Sequence, residues 1–334
     1  LLSLRHHAAL LILLVLPLGL AAQQIPAGYE SELTIPDGIK GLNLPTAVYY
    51  EPRHGELYVV DTGNGRIVLF DRNGTYAFEF TDSEHIPAPV GLVVDSLGHI
   101  MVLSDHQAST LHVYDYNGTY LHDIALADSH GTPVAAASIT IDDQDHLYVL
   151  SAKPGRIFIF STAGSPRSSF ALPADSTMAE FPILGAIAWL GNHELAVPMP
   201  GIPEVGIFSP AGAYLRSVGI AGGDAGSLAF PVAAATDGKG GYMVLDKHRH
   251  TLIHFDSKGA FVKEFGGMGV SKGWFYHPSS LASDGAGRCF VLQSFQDRVQ
   301  IFRIPDVAGV NNASLSVADP KTETAPAADP VKKN

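Results

Sequence analysis

The densest chemical cluster in this sequence is Lys247-His248-Arg249-His250, a local basic patch in a chain of net charge -12. Alternate side chains of an extended segment share one side, so His248 and His250 face together. Two imidazoles so placed suit a metal or an anionic ligand, and no third ligand is fixed by spacing. Asp61 and Asp246 hold matching places at the ends of two strand-like runs. Such carboxylates either ring a binding mouth or cap the following loop by accepting its backbone N–H groups. Arg66, Arg156 and Arg298 match one another, and their expected role is packing and pairing between repeated units. Asn64 and His106 stand in the same class of loop, and Trp274, Tyr276 and His277 form an aromatic-rich connection.

Several chemistries are missing. No nucleophile elbow, phosphate-binding glycine loop or paired His-Glu motif occurs. The single Cys, Cys289, permits no internal disulfide and no Cys-based zinc ribbon. It falls in a strand-like run and reads as a buried apolar residue. The acidic balance argues against nucleic acid, which needs clustered Lys and Arg. Charged residues make up 16% of the chain and hydrophobic ones 46%. The usual charged share is about 25%, so a large core is expected.

The elements that must position these residues are repeated. A turn of Asp or Ser, two residues, then Gly starts at Asp71, Asp115, Ser161, Ser209 and Asp256, at spacings of 44, 46, 48 and 47 residues. Asp or Ser first and Gly fourth suits a type I turn. An apolar run precedes each turn, as in Ile67-Val68-Leu69-Phe70, and Val299-Gln300-Ile301-Phe302 is a sixth such run. A second turn set starts at Asp95, Asp142, Asp237 and Asp284. Upstream of that set, Ala47, Gly91, Ser138, Ala186, Ala233 and Ser280 stand at matching strand positions, and all are small. A strand nearest the axis of a ring has no room for bulk. The outer strands are expected to carry the Phe, Tyr, Leu and Ile that fill the space between units.

No segment shows a 3.6-residue apolar stripe. Four strands per unit of about 47 residues is the signature of a propeller blade. The fold expected is all-β, a six-bladed β-propeller of four-stranded antiparallel blades over residues 29–305. Unit six runs out of strands at Pro305, while residues 30–35 form a spare strand before unit one. The N-terminal strand is therefore expected to complete the last blade and remove its exposed edge. In unit four Pro198, Pro200 and Pro203 replace the Asp-containing loop, so its top face should be irregular.

The units resemble the NHL-repeat family. Unit one carries the pattern most fully, in Leu44-Pro45-Thr46-Ala47, in Gly55-Glu56-Leu57-Tyr58-Val59-Val60-Asp61, and in Gly63-Asn64-Gly65-Arg66-Ile67-Val68-Leu69-Phe70-Asp71. Unit five repeats it with Pro231, Gly240, Asp246, His248 and Phe255, and unit six with Asp297-Arg298-Val299-Gln300-Ile301-Phe302. The resemblance covers about residues 30 to 305. It implies a fold that hosts both binders and enzymes. Peptide-amidating lyases share the fold and hold zinc through His residues that follow the inner-strand Pro. Here Thr46, Val90, Val232 and Ser279 follow those prolines, and His277 precedes its Pro. Lactonase-like propellers use an acidic calcium-binding mouth, for which Asp61, Asn64 and Asp246 would serve.

The leading expectation is a binding scaffold. Its loop face would take a protein, peptide or glycan through Asp61, Asn64, Arg66, His106, Asp246, His248, Arg249, His250, Trp274, Tyr276, His277 and Arg298. The alternative is a metal-dependent lyase or hydrolase with Zn or Ca at the channel mouth. Residues 1–22 read as a secretory signal, with Arg5 ahead of an apolar run and Ala21 near the cut. Residues 307–334 hold no aromatic and read as a disordered tail. The expected product is a secreted or periplasmic monomer with no stable membrane span after cleavage. Asn73, Asn117 and Asn312 match the glycosylation pattern.

Overall fold

The computed structural model describes residues 28–173 and 183–304. The signal, tail and Asn312 expectations lie outside them. Within them the chain forms six antiparallel four-stranded sheets. Blade 1 comprises Ala47–Glu51, Glu56–Asp61, Arg66–Phe70 and Tyr76–Thr81. Blade 2 comprises Gly91–Val94, Ile100–Leu103, Thr110–Tyr114 and Tyr120–Ala125. Blade 3 comprises Ser138–Ile141, His146–Ser151, Arg156–Ser161 and Pro166–Ala171. Blade 4 comprises Ala188–Trp189, Leu195–Met199, Glu204–Phe208 and Tyr214–Val218. Blade 5 comprises Pro231–Thr236, Tyr242–Asp246, Thr251–Phe255 and Phe261–Gly266. Blade 6 takes Ser280–Ser283, Arg288–Gln293 and Arg298–Arg303 from the end of the ring, and Tyr29–Glu32 from its start.

That last pairing closes the ring. Ser31 and Glu32 face Ile301 and Gln300. The Leu33 N–H donates to the Val299 carbonyl at 2.9 Å, and the Arg303 N–H to the Gly28 carbonyl at 2.7 Å. Leu33 is buried with Val48, Phe70 and Phe290, so closure joins blade 1 to blade 6 through apolar packing as well.

The repeated turns behave as their residues dictate. Asp71 Oδ1 accepts from the N–H groups of Asn73 and Thr75 at 2.8 and 2.9 Å. Gly74 follows at φ +80, in the left-handed region that favours glycine. Blade 3 puts Asp145 at φ +60 where its neighbour has Gly98, which is the physical content of its weaker turn.

The six small inner-strand residues all line a central channel of about 680 Å³. Hydroxyls brace it across blades: Ser280 Oγ accepts from the Val48 N–H, and Ser138 Oγ from the Ile187 N–H. The bulk between blades comes from elsewhere than expected. The second and third strands supply it, with Leu57, Tyr58, Val59 and Val60 all at 0% exposure. The outer strands of blades 1 to 5 bury only Phe80, Ile124, Val218 and Phe265 among their large apolar residues. They pack on one side only, because nothing lies beyond them.

Blade 4 is irregular, as its prolines imply. Pro198 accepts from the Gly185 N–H at 2.8 Å but has no N–H to return. The ladder stops there, and the inner strand shrinks to two residues. The Ala186 N–H turns to the Val232 carbonyl of blade 5 instead.

Candidate functional site

The loops between second and third strands and the blade-to-blade connections share one face, since neighbouring strands alternate in direction. Asp61 and Asp246 lie under that face, both at 0% exposure. Asp61 accepts from the Asn43 N–H at 2.7 Å, from Asn64 Nδ2 at 2.7 Å and from Arg66 Nε at 2.6 Å. Asp246 accepts from the N–H groups of Ala229, Phe230, His248 and Arg249. Both carboxylates cap loops, and neither reaches the channel mouth. Of the two roles their positions allow, these contacts are those of loop caps.

Arg66 is buried too. It pairs with Asp61 and Glu79, each at 2.6 Å, and donates to the Lys40 and Gly41 carbonyls. Asn64 also donates to the Gly41 carbonyl, at 2.8 Å. These two residues fasten the segment that enters blade 1. Arg249 pairs with Glu264 at 2.9 Å, and Arg298 donates to the Ser271 and Trp274 carbonyls. Burial pushes the Arg298 guanidinium below its ordinary pKa, against the pull of Glu32 and Tyr29. The Trp274 ring is half-buried against Gly267 and Gly269, and its carbonyl is held by Arg298 and Gln300. Trp274 orders the connection rather than facing outward.

The remaining aromatic and imidazole groups do converge. His277 lies 5.3 Å from His250, 4.6 Å from Tyr276 and 6.0 Å from Phe295, ring centre to centre. His248 is exposed and stacks on Phe230 at 4.3 Å. The His250 Nδ1 accepts from the His277 N–H at 3.3 Å. Burial, with His277 and His248 nearby, lowers the His250 pKa, and Asp246 only partly opposes this. The shift favours the uncharged ring that accepts this bond. His250 and His277 both sit in the left-handed region, at φ +58 and +48. For side chains larger than Gly or Asn this backbone costs about 1–2 kcal/mol each. Strain of this kind concentrates at functional sites.

Phe295 completes the group and was missed in the sequence. It is 65% exposed. Its short helical turn, Ser294–Gln296, matches Thr62–Asn64 of blade 1, where the same place is Gly63. A Cβ on Gly63 would meet Asn43 at 2.5 Å. Blade 6 carries a phenyl ring at the matching place, turned outward. Leu44, Ile183, Ile220, Met268 and Val270 are further exposed apolar residues in the connections of this face. His106 is exposed at the rim of the channel.

Among the described residues no group of three or more His, Cys, Asp or Glu converges to hold a metal. Cys289 is fully buried, and burial raises its thiol far above the usual range. Among the described residues no helix is long and apolar enough to cross a membrane.

The opposite face carries a different device. Turn carboxylates there hold imidazoles: Asp95 with His99, Asp142 with His146 and Asp237 with His254, at 2.8–2.9 Å. Burial alone would raise the Asp237 pKa. Bonds from His254 and from the Lys239 and Gly241 N–H groups outweigh it and hold the carboxyl below its ordinary value. A depressed carboxyl gives stability that is complete above its unfolded pKa, about 3.9. That stability is lost as pH falls through the folded value. Asp237→Asn is expected to lower Tm at pH 6 and to flatten the fall in Tm below about pH 4. Thermal melts from pH 7 to pH 2.5 check it, and parallel curves for both proteins would contradict it.

No protein-family model matches the chain, and no curated protein matches it by sequence. Solved structures match its fold. Virginiamycin B lyase from Staphylococcus aureus aligns with a TM-score of 0.52 at 14% identity, over 83% of this chain and 89% of that one. A protein of unknown function from Bacteroides thetaiotaomicron gives 0.61 at 11% identity, over 83% and 73%. Hydrazine synthase from Kuenenia stuttgartiensis gives 0.54 at 13%, over 81% and 99%. At these identities the likeness is one of fold.

Proposed function

We propose that the chain is a binding propeller of NHL type. Its loop face between blades 5 and 6 takes a protein, peptide or glycan by stacking. One observation carries this reading: Phe295, His277, Tyr276 and His250 are in ring contact, and the outermost ring is exposed to solvent. An exposed aromatic backed by other rings offers large contact area at low entropic cost. His248 on Phe230 extends the surface around blade 5. The ionic groups that sequence placed there are consumed in holding loops, so recognition falls to the rings.

The test uses the full chain against a random peptide display library and a glycan array. Phe295→Ala should weaken the best binder roughly 30-fold, as expected of a central aromatic anchor worth about 2 kcal/mol. His248→Ala should weaken it less. Unchanged affinity in Phe295→Ala, with the fold intact by circular dichroism, would remove this assignment.

A further inference from the structure

Blades 1, 3 and 6 carry an arginine at the start of the third strand, and of these blade 3 alone has no acid facing that strand at either matching position. In blade 1, Arg66 faces Asp61 across one strand pair, and two residues on, Val68 faces Glu79 across the next. The guanidinium binds both carboxylates. The matching residues of blade 3 follow from the same registers. Arg156 faces Ser151, and Phe158 faces Ser169. Blade 3 thus keeps the arginine and replaces both carboxylates with hydroxyls. Blades 5 and 6 keep an acid at the outer-strand position, as Glu264 and Glu32. Among the described residues Arg156 forms no ion pair, and its side chain donates to Ser169 Oγ at 3.1 Å.

The space left by the missing carboxylates is open. A cavity of about 680 Å³ lies over Arg156, between blade 3 and the connection from blade 2. Such a volume lies within the range of small-molecule sites. Ser169, Thr132 and Arg167 line it with polar groups, while the buried Ser151 hydroxyl donates to the Lys153 carbonyl at 2.9 Å, and the half-buried Phe158 adds an apolar wall. Asp128 is the one carboxylate among the described lining residues, and its Oδ1 is taken by the His130 and Thr132 N–H groups. In a chain of net charge -12, this is a place where arginine stands without its acids.

We propose that this cavity binds a carboxylate-bearing sugar, a uronic acid of one or two residues. The ligand carboxylate takes the place that Glu79 and Asp61 fill in blade 1. Guanidinium and carboxylate match in planar, paired hydrogen bonds. The Ser169 and Thr132 hydroxyls meet the hydroxyls of the ring. This site is separate from the aromatic surface of blades 5 and 6, and neither depends on the other.

Isothermal titration of the full chain with digalacturonate tests it, with neutral cellobiose alongside. Digalacturonate is expected to bind at one site, and cellobiose at least 10-fold more weakly, since a hydrogen-bonded charge contributes more than a neutral bond. Arg156→Gln should weaken digalacturonate at least 10-fold. Ser169→Glu rebuilds the blade 1 arrangement from within. It should abolish binding while holding or raising Tm, which separates loss of the site from loss of the fold. Absence of heat at millimolar digalacturonate, equal binding of cellobiose, or wild-type affinity in Ser169→Glu would each overturn the proposal.

Discussion

Removing residues 28–36 should make the chain aggregate. The deletion strips the outer strand from blade 6 and exposes the edge of Arg298–Arg303. An unpaired edge recruits other chains. It also removes buried Leu33 and the Tyr29 ring, which packs edge-on against Phe302 at 6.0 Å. Burying a leucine side chain contributes about 1.5–3 kcal/mol, and the lost ladder adds to it. Size-exclusion chromatography and thermal melting read the outcome. Leu33→Asp, which keeps the strand but breaks its packing, should lower Tm and leave less aggregation. A truncated protein that stayed monomeric with unchanged Tm would mean that the ring closes otherwise.

The second large effect is expected at Asp61. Asp61→Ala leaves Arg66 buried with Glu79 alone and leaves the Asn43 N–H without its acceptor. Breaking a buried ion pair by removing one partner costs about 3–5 kcal/mol. For a domain of this size that is a fall of roughly 10 °C in Tm. Glu79→Gln should cost far less, because Glu79 is partly exposed and Asp61 remains. The pair of variants tests the capping role of Asp61. A capping role predicts lost stability with binding intact in the folded fraction. Lost binding at unchanged Tm would return Asp61 to the ligand.

Much of the fold was legible because a propeller repeats its constraints. Asp71, Asp115 and Asp256 each start a turn whose geometry demands Gly three residues on. The six small residues mark the axis because only there does crowding act on every blade. The site was less legible. Asp61 and Asn64 look the same in sequence whether they hold a ligand or a loop, and only their partners decide. Phe295 sits in a short turn without strand alternation, so nothing in its neighbours tells which way the ring points. Its exposure follows from contrast with Gly63, whose place Asn43 crowds. The vacancy beside Arg156 needed cross-strand register, since Ser169 lies 13 residues away in sequence. The outer strands were misjudged for a related reason. Their apolar residues resemble those of middle strands, and only the ring shows that one side meets water.

If the rings between blades 5 and 6 form the binding surface, a ligand must shield the loops that carry them. Hydrogen exchange of the full chain, free and with the best binder from the peptide or glycan screen, tests it most directly. Protection is expected at residues 248–250, 274–277 and 294–297, lost in Phe295→Ala. Protection confined to the opposite turns, at residues 53–56 and 71–75, would contradict it.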